Sequence, residues 1–326
     1  MKKRIKSLLL LVCISATLLA SCKKTAQETK SPTAITITTA DSTGSIYQLG
    51  NDVSTIWNDA LPYIKASAVA SNGGVDNLKS IKENKNTIGF AVTSIAYEAY
   101  TGTGVFLDDS NENLRVIAGL YYNPNQVIVK ADSDIMSLSD LVGKRFSPGV
   151  VGGTTLSEAL LHYQTIAIDI ETSMDLVHAS YTDSIKLMTE NQLDGFWFMA
   201  GIPNEAIAAL TENNIGRLIS IDDSVIVALQ SQYPWYANYV IPEGTYANQE
   251  EDIKTTAVKL VMVTSCEVPD EIIYDLTKTF WEHIEDLKLT NPVLNSITME
   301  GTITDLSDLP LHNGAKKYYR EVGIID

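Results

Sequence analysis

Cysteine is nearly missing from this chain of 326 residues: there are three, and only Cys266 lies beyond residue 22. A single thiol builds neither a disulfide framework nor a cysteine metal cluster. Cys266 follows the apolar stretch 257–263 and reads as a small core or near-core residue. Histidine is almost as scarce. His162, His178, His283 and His312 make no H-E-x-x-H pair, and His162 and His283, in helical segments, read as surface or interlobe residues. No G-x-S-x-G elbow is present, and the glycines at 149, 152 and 153 are not followed by the lysine and hydroxyl of a phosphate-binding loop. Metal-assisted hydrolysis, serine hydrolysis and phosphoryl transfer therefore lack their usual residues. No enzyme, metal or cofactor is expected.

Positive charge is also short. Lys and Arg number 24 against 40 Asp and Glu, a formal charge of −16, which argues against nucleic acid or an anionic lipid surface as a partner. Long apolar runs are limited to one, Leu8 to Leu19, which is too short for a comfortable membrane span. It follows Lys2, Lys3, Arg4 and Lys6 and ends in Leu19-Ala20-Ser21-Cys22. Such a segment is a signal sequence, and Leu-Ala-Ser-Cys resembles the lipobox of bacterial lipoproteins. The resemblance implies a lipoprotein signal peptide over 1–21, an acylated Cys22 anchored in a membrane, and an extracytoplasmic protein at the periplasm or cell surface. The other reading is an ordinary secretory signal that ends beside a cysteine. Losing four of the 24 basic residues leaves 20 against 40 acidic ones, a formal charge of −20. Residues 22–33 are polar and read as a tether.

What the chain does have is a repeated local pattern. Ile35-Thr36-Ile37-Thr38 is a β-branched run that breaks at Thr39 into the small polar turn from Ala40 to Ser45, and an apolar-periodic helix follows. Ser42, Thr43 and Ser45 are the candidate N-caps there. The unpaired N–H groups of a first helical turn make such a turn a cradle for a carboxylate. Lys65–Ala70 repeats the pattern with Asn72, Gly73 and Gly74, and Thr87–Val92 repeats it with Thr93 and Ser94. Three strand-to-helix turns in succession predict a parallel sheet that binds ligands at its carboxyl edge. Farther on, 114–122 and 126–131 are apolar runs, and strands are expected near 144–147, 175–178 and 194–199. Helices are expected from about Thr155, from Tyr181 and from Pro203, the last because proline suits a first helical turn.

Six stretches carry a family resemblance. Ser137-Leu138-Ser139-Asp140-Leu141-Val142-Gly143-Lys144 resembles the crossover into the second lobe of type II periplasmic solute-binding proteins. Tyr233-Pro234-Trp235-Tyr236, Val240 to Tyr246 and the ending Pro310 to Glu321 are similar to the TAXI class of receptors that serve TRAP transporters, as are Ala96 to Tyr100 and Ala200 to Asn204. The resemblance runs from Ile35 to Val322. It implies a two-lobed type II periplasmic binding protein fold of the α/β class, each lobe a mostly parallel sheet flanked by helices. Lobe I would comprise 34–125 plus 241–326, and lobe II 126–240.

The function implied is capture of a small organic solute, a carboxylate or an amino acid such as glutamate, and its delivery to a TRAP membrane subunit. A receptor that feeds a signalling partner would have the same pocket. Ligand contacts are expected at Thr39, Ser42, Ser45, Tyr47, Asn72, Gly73, Gly74, Thr93, Ser94, Tyr97, Gly153, Thr154, Thr155, Ala200 and Gly201. Thr155 is the hydroxyl expected either to touch ligand or to cap its helix. Tyr47, Tyr97 and Trp197 form either an aromatic wall or core and hinge contacts, and Asp41 points either to solvent or to a cationic group on the ligand.

Overall fold

Alternation decides the first strand: in β1 (Thr33–Thr38) Ile35 and Ile37 are buried while Ala34 and Thr36 face out, the period of two that a pleated strand imposes. The structure is a computed structural model that describes residues 31–40, 42 and 45–326. The expected signal segment, Cys22, most of the expected tether, Asp41 and Thr43 lie outside the described residues. The remaining strands are β2 (Ile64–Val69), β3 (Thr87–Val92), β4 (Leu114–Lys130), β5 (Arg145–Ser147), β6 (Asp175–Leu176), β7 (Gly195–Met199), β8 (Gly216–Ile219), β9 (Ala237–Ile241) and β10 (Ile253–Ser265). The helices are α1 (Ser45–Ala60), α2 (Gly74–Glu83), α3 (Thr93–Thr101), α4 (Thr154–Thr165), α5 (Ile170–Ser173), α6 (Tyr181–Thr189), α7 (Glu205–Glu212), α8 (Asp223–Gln232), α9 (Asp270–Glu282), α10 (Ile284–Thr290) and α11 (Asn313–Glu321).

The strands lie in the order β2-β1-β3-β10-β4-β7-β5-β6, with β8 added on β4 and β9 on β10. β1 pairs parallel with β2 and β3, and β5 pairs parallel with β6 and β7. Each end of the sheet is thus a parallel unit covered by helices, a mixed α/β architecture. The strands between them, β4 and β10, run antiparallel to their neighbours. β3 is buried at all six positions, as a strand covered on both faces must be. Trp57 of α1 fixes the helix layer, burying its ring and donating its indole N–H to the Leu276 carbonyl at 3.0 Å.

The two apolar runs at 114–122 and 126–131 are a single strand of 17 residues. Pro124 sits where that strand changes partners. Up to Pro124 it pairs with β10, and from Asn125 it pairs with β7 and then β8. A proline donates nothing to a ladder, so it fits the point where one ladder hands over to the next. The 137–144 turn has the structure its sequence suggests, a 3-10 turn at Leu138–Leu141 closed by a reciprocal Ser137–Asp140 capping box.

Two expectations are corrected and a third is narrowed. Helix α7 starts at Glu205, not Pro203, because the Asn204 side chain accepts from the N–H groups of Ala206 and Ile207 and makes the better cap. Cys266 is exposed, since it lies one residue past the end of β10, where the chain leaves the sheet. Of the two readings of His162, surface or interlobe, the surface one is ruled out, because the residue is wholly buried. Among the described residues, no helix is long and apolar enough to cross a membrane.

Candidate functional site

Loops from both ends of the sheet converge on one cavity of about 190 Å³. The turns after β1 and β2 contribute Thr39, Ala40, Gly73 and Gly74; the starts of α1 and α4 contribute Ser45, Ile46 and Thr154; the end of β7 contributes Met199, Ala200 and Gly201. Phe90, Ala91 and Val92 of β3, Leu260 of β10, and Tyr121 and Asn123 of β4 form the floor. Larger hollows of about 500 and 730 Å³ lie along the 303–311 loop and beside β8, and neither is bordered by the start of any helix.

The first residues of three helices, Ser45, Gly74 and Thr154, all face this cavity. The N-caps of α2 and α4 are Gly73 and Gly153, and neither helix has a side-chain cap hydrogen bond. Their first-turn N–H groups are therefore open, with the positive end of each helix dipole beside them. Gly73 holds φ at 103°, a conformation that suits glycine. Asp76, in the first turn of α2, is not part of the wall and is hydrogen-bonded by Asn72 at 2.6 Å.

No charged side chain is among the described wall residues. Lys259, next to Leu260, is buried, and its Nζ donates to the carbonyls of Gly301 (2.7 Å) and Thr304 (2.8 Å). Desolvation pushes its pKa down to about 8. The polar groups on the floor differ from one another. The Tyr121 hydroxyl is hydrogen-bonded with Ser45, and burial pushes its pKa up to about 12. Asn123 is 93% buried as a residue, and its amide has no hydrogen-bond partner among the described residues.

Of the fifteen residues expected from the sequence, Thr39, Ser45, Gly73, Gly74, Thr154, Ala200 and Gly201 line the cavity. The others do not form its wall. Ser42 and Asn72 are exposed. Tyr47 sits within α1, and its carbonyl accepts from Asn51. Tyr97 packs its ring against Trp235 at 5.2 Å. The Thr93 hydroxyl accepts from the Lys259 N–H at 3.1 Å. Gly153 is the N-cap behind Thr154, so Thr155, inside α4, caps nothing. Its hydroxyl is bonded to that of Tyr181 at 2.5 Å, and the Tyr181 hydroxyl donates to the Met199 carbonyl. Ser45 is likewise the first helical residue and not a cap.

Ser94 belongs to a second polar cluster, closed to solvent, that joins the two ends of the sheet. The Glu158 carboxylate of α4 accepts from the Ser94 hydroxyl (3.1 Å), the Asn125 amide (3.1 Å) and the Tyr236 hydroxyl (2.8 Å). Burial pushes its pKa up to about 7 against those donors. One turn along, His162 Nδ1 lies 2.6 Å from the Glu158 backbone carbonyl and Nε2 lies 2.7 Å from the Thr256 hydroxyl. A carbonyl only accepts, so Nδ1 carries the proton and Nε2 accepts from Thr256. Burial pushes the imidazole down to about 4, which keeps it neutral. The Trp197 indole N–H donates to Asn125 Oδ1 at 2.8 Å, and the Asn125 amide also donates to Thr256 at 3.0 Å. Trp197 is therefore a contact of this seam and not of the cavity.

Sequence reasoning missed Asn123, Tyr121 and Met199 on the wall, and Glu158 and Asn125 in the seam. Asn123 did carry a signal: Asn123-Pro124-Asn125 is a polar interruption between two apolar runs.

A family model described as the NMT1-like family matches residues 37–323. Three solved structures share the fold. A TctC solute-binding protein from Polaromonas is 13% identical, over 79% of this chain and 88% of that one, with a TM-score of 0.52. MatC from Rhodopseudomonas palustris, with bound malate, is 12% identical, over 89% and 97%, with a TM-score of 0.52. A Xanthomonas citri protein bound to ATP is 12% identical, over 89% and 96%, with a TM-score of 0.50.

Proposed function

The chain belongs to the NMT1-like family, and from that premise we propose that it is an extracytoplasmic solute-binding receptor, not an enzyme. It captures a small organic carboxylate or amino acid between two lobes, 34–125 plus 241–326 and 126–240, and delivers it to a TRAP membrane permease. The observation that carries the reading is the cavity where three helices start, with open first-turn N–H groups on α2 and α4 and no charged wall residue. Such donors hold a carboxylate without a cationic side chain. α2 belongs to the first lobe and α4 to the second, so one bound anion bridges both and biases them toward closure about the two crossing segments, within β4 and at the end of β9. The buried titratable pair Glu158 and His162 is sealed in the seam and bonded to neighbouring groups. An acylated Cys22 would hold the receptor at the membrane, and the polar residues after it would give it reach.

The test is a melting-temperature screen of the purified domain against small carboxylates and amino acids, followed by small-angle scattering with any solute that binds. A saturating ligand should raise the melting temperature and reduce the radius of gyration. An unchanged radius at saturation would speak for a rigid binding protein and against a receptor that closes.

A further inference from the structure

Two asparagines stand two residues apart on β4, and their side chains have opposite fates. Asn125 has both ends of its amide engaged, by Glu158, Thr256 and Trp197. Asn123 is 93% buried, lines the cavity and has no partner among the described residues. An amide on a cavity wall that pairs with no protein group is left open to complete its hydrogen bonds with a ligand. Its two N–H donors and one carbonyl acceptor suit a neutral polar group on the ligand, such as a hydroxyl or an oxo oxygen.

The carbonyl end of the amide is also able to accept from an ammonium. A buried ammonium needs a carboxylate to pair with, and no carboxylate is among the described wall residues. The size of the cavity, about 190 Å³, limits the ligand to a small molecule. Resting on the carboxylate reading above, we propose that Asn123 is the specificity-determining residue of the cavity. It reads the hydroxyl or oxo oxygen of a small hydroxy- or oxo-carboxylate whose acid group sits at the first turns of α2 and α4. Two open helix starts then bind the charge, and one open amide distinguishes a hydroxy or oxo acid from its plain counterpart.

The experiment is calorimetric titration of the wild-type domain with matched probes: propionate, lactate, pyruvate and alanine, and succinate, malate and aspartate. Asn123→Leu, which keeps the size of the side chain, and Asn123→Ala, in case leucine does not fit, are titrated alongside and melted without ligand. The wild type should bind the hydroxy or oxo acid of at least one set roughly ten- to a hundredfold more tightly than the plain acid, because the plain acid leaves the amide unpaired. In the variants that ratio should fall to within about threefold, with no loss of melting temperature, since no internal bond is broken. A variant that keeps the wild-type ratio overturns the role of Asn123. Tight binding of plain acids, or preference for the amino acids, overturns the hydroxy- or oxo-acid assignment while the carboxylate reading stands. Binding of none of the probes at millimolar concentration overturns both.

Discussion

The cavity and the seam behind it are both polar, both lie between the parallel units of one sheet, and both draw on β4 and α4. They differ in what their polar groups bond to. In the seam, Glu158 accepts three hydrogen bonds, His162 uses both ring nitrogens, and Asn125 is engaged at both ends. On the cavity wall the Asn123 amide has no described partner, and the first turns of α2 and α4 are uncapped by side chains. A satisfied polar cluster fixes one arrangement of the chain. An unsatisfied one at a cavity awaits a ligand. Polar content alone therefore does not mark a binding site in this fold; the state of its hydrogen bonds does.

The largest effect that would break this contrast is on stability. Glu158→Leu deletes the acceptor of three buried donors, and each buried donor left unpaired costs about 1–3 kcal/mol. Urea denaturation should show a loss of roughly 3–5 kcal/mol. A loss below about 1 kcal/mol would mean that the seam holds nothing together.

The pH dependence of the seam sharpens the contrast. The folded-state pKa of Glu158 is raised from 4.5 to about 7, so its contribution to stability is full below pH 4.5 and is lost as pH rises to 7. That of His162 is lowered from 6.5 to about 4, so its contribution is full above pH 6.5 and is lost as pH falls to 4. Each shift corresponds to about 3 kcal/mol, and between pH 4.5 and 6.5 their slopes cancel. Glu158→Gln removes one slope. Relative to wild type, that variant should gain up to about 3 kcal/mol of stability between pH 4.5 and 7, read from denaturation midpoints at each pH. A difference that stays flat with pH would show that Glu158 does not titrate in this range.

The smallest effect belongs to Thr155, one layer behind the cavity. Thr155→Val removes the bond to Tyr181 and should cost about 1 kcal/mol of stability, with solute affinity changed less than threefold in calorimetry. A loss of affinity without a loss of melting temperature would move Thr155 onto the ligand.

How much of this was legible in the sequence follows the same division. The strand-to-helix turns could be read because β-branched runs broken by Ser, Thr, Asn and Gly have a local cause, and five of the expected contacts line the cavity for that reason, while Ala200 and Gly201 were expected from the family resemblance. Which residue of a turn faces the cavity depends on how a helix is rolled against the sheet. Thr154 faces in while Gly153 and Thr155 do not. The seam was hidden for a related reason. Glu158 and His162 are four residues apart on α4, which in sequence looks like an ordinary polar helix face. Only the approach of Ser94, Asn125, Tyr236 and Thr256, from distant parts of the chain, buries that face. Asn123 and Asn125 look alike in sequence, and their different fates were set by tertiary neighbours.

The central claim is that the cavity between the helix starts holds the solute, and native mass spectrometry of the purified domain tests it most directly. Wild type and Ala200→Trp, which places a large ring at the cavity wall, would each be titrated with the tightest-binding carboxylate from the calorimetric series. The account predicts one bound molecule per chain on the wild type and none on Ala200→Trp, with both proteins equally folded by circular dichroism. The same bound mass on both would place the ligand elsewhere and contradict the account.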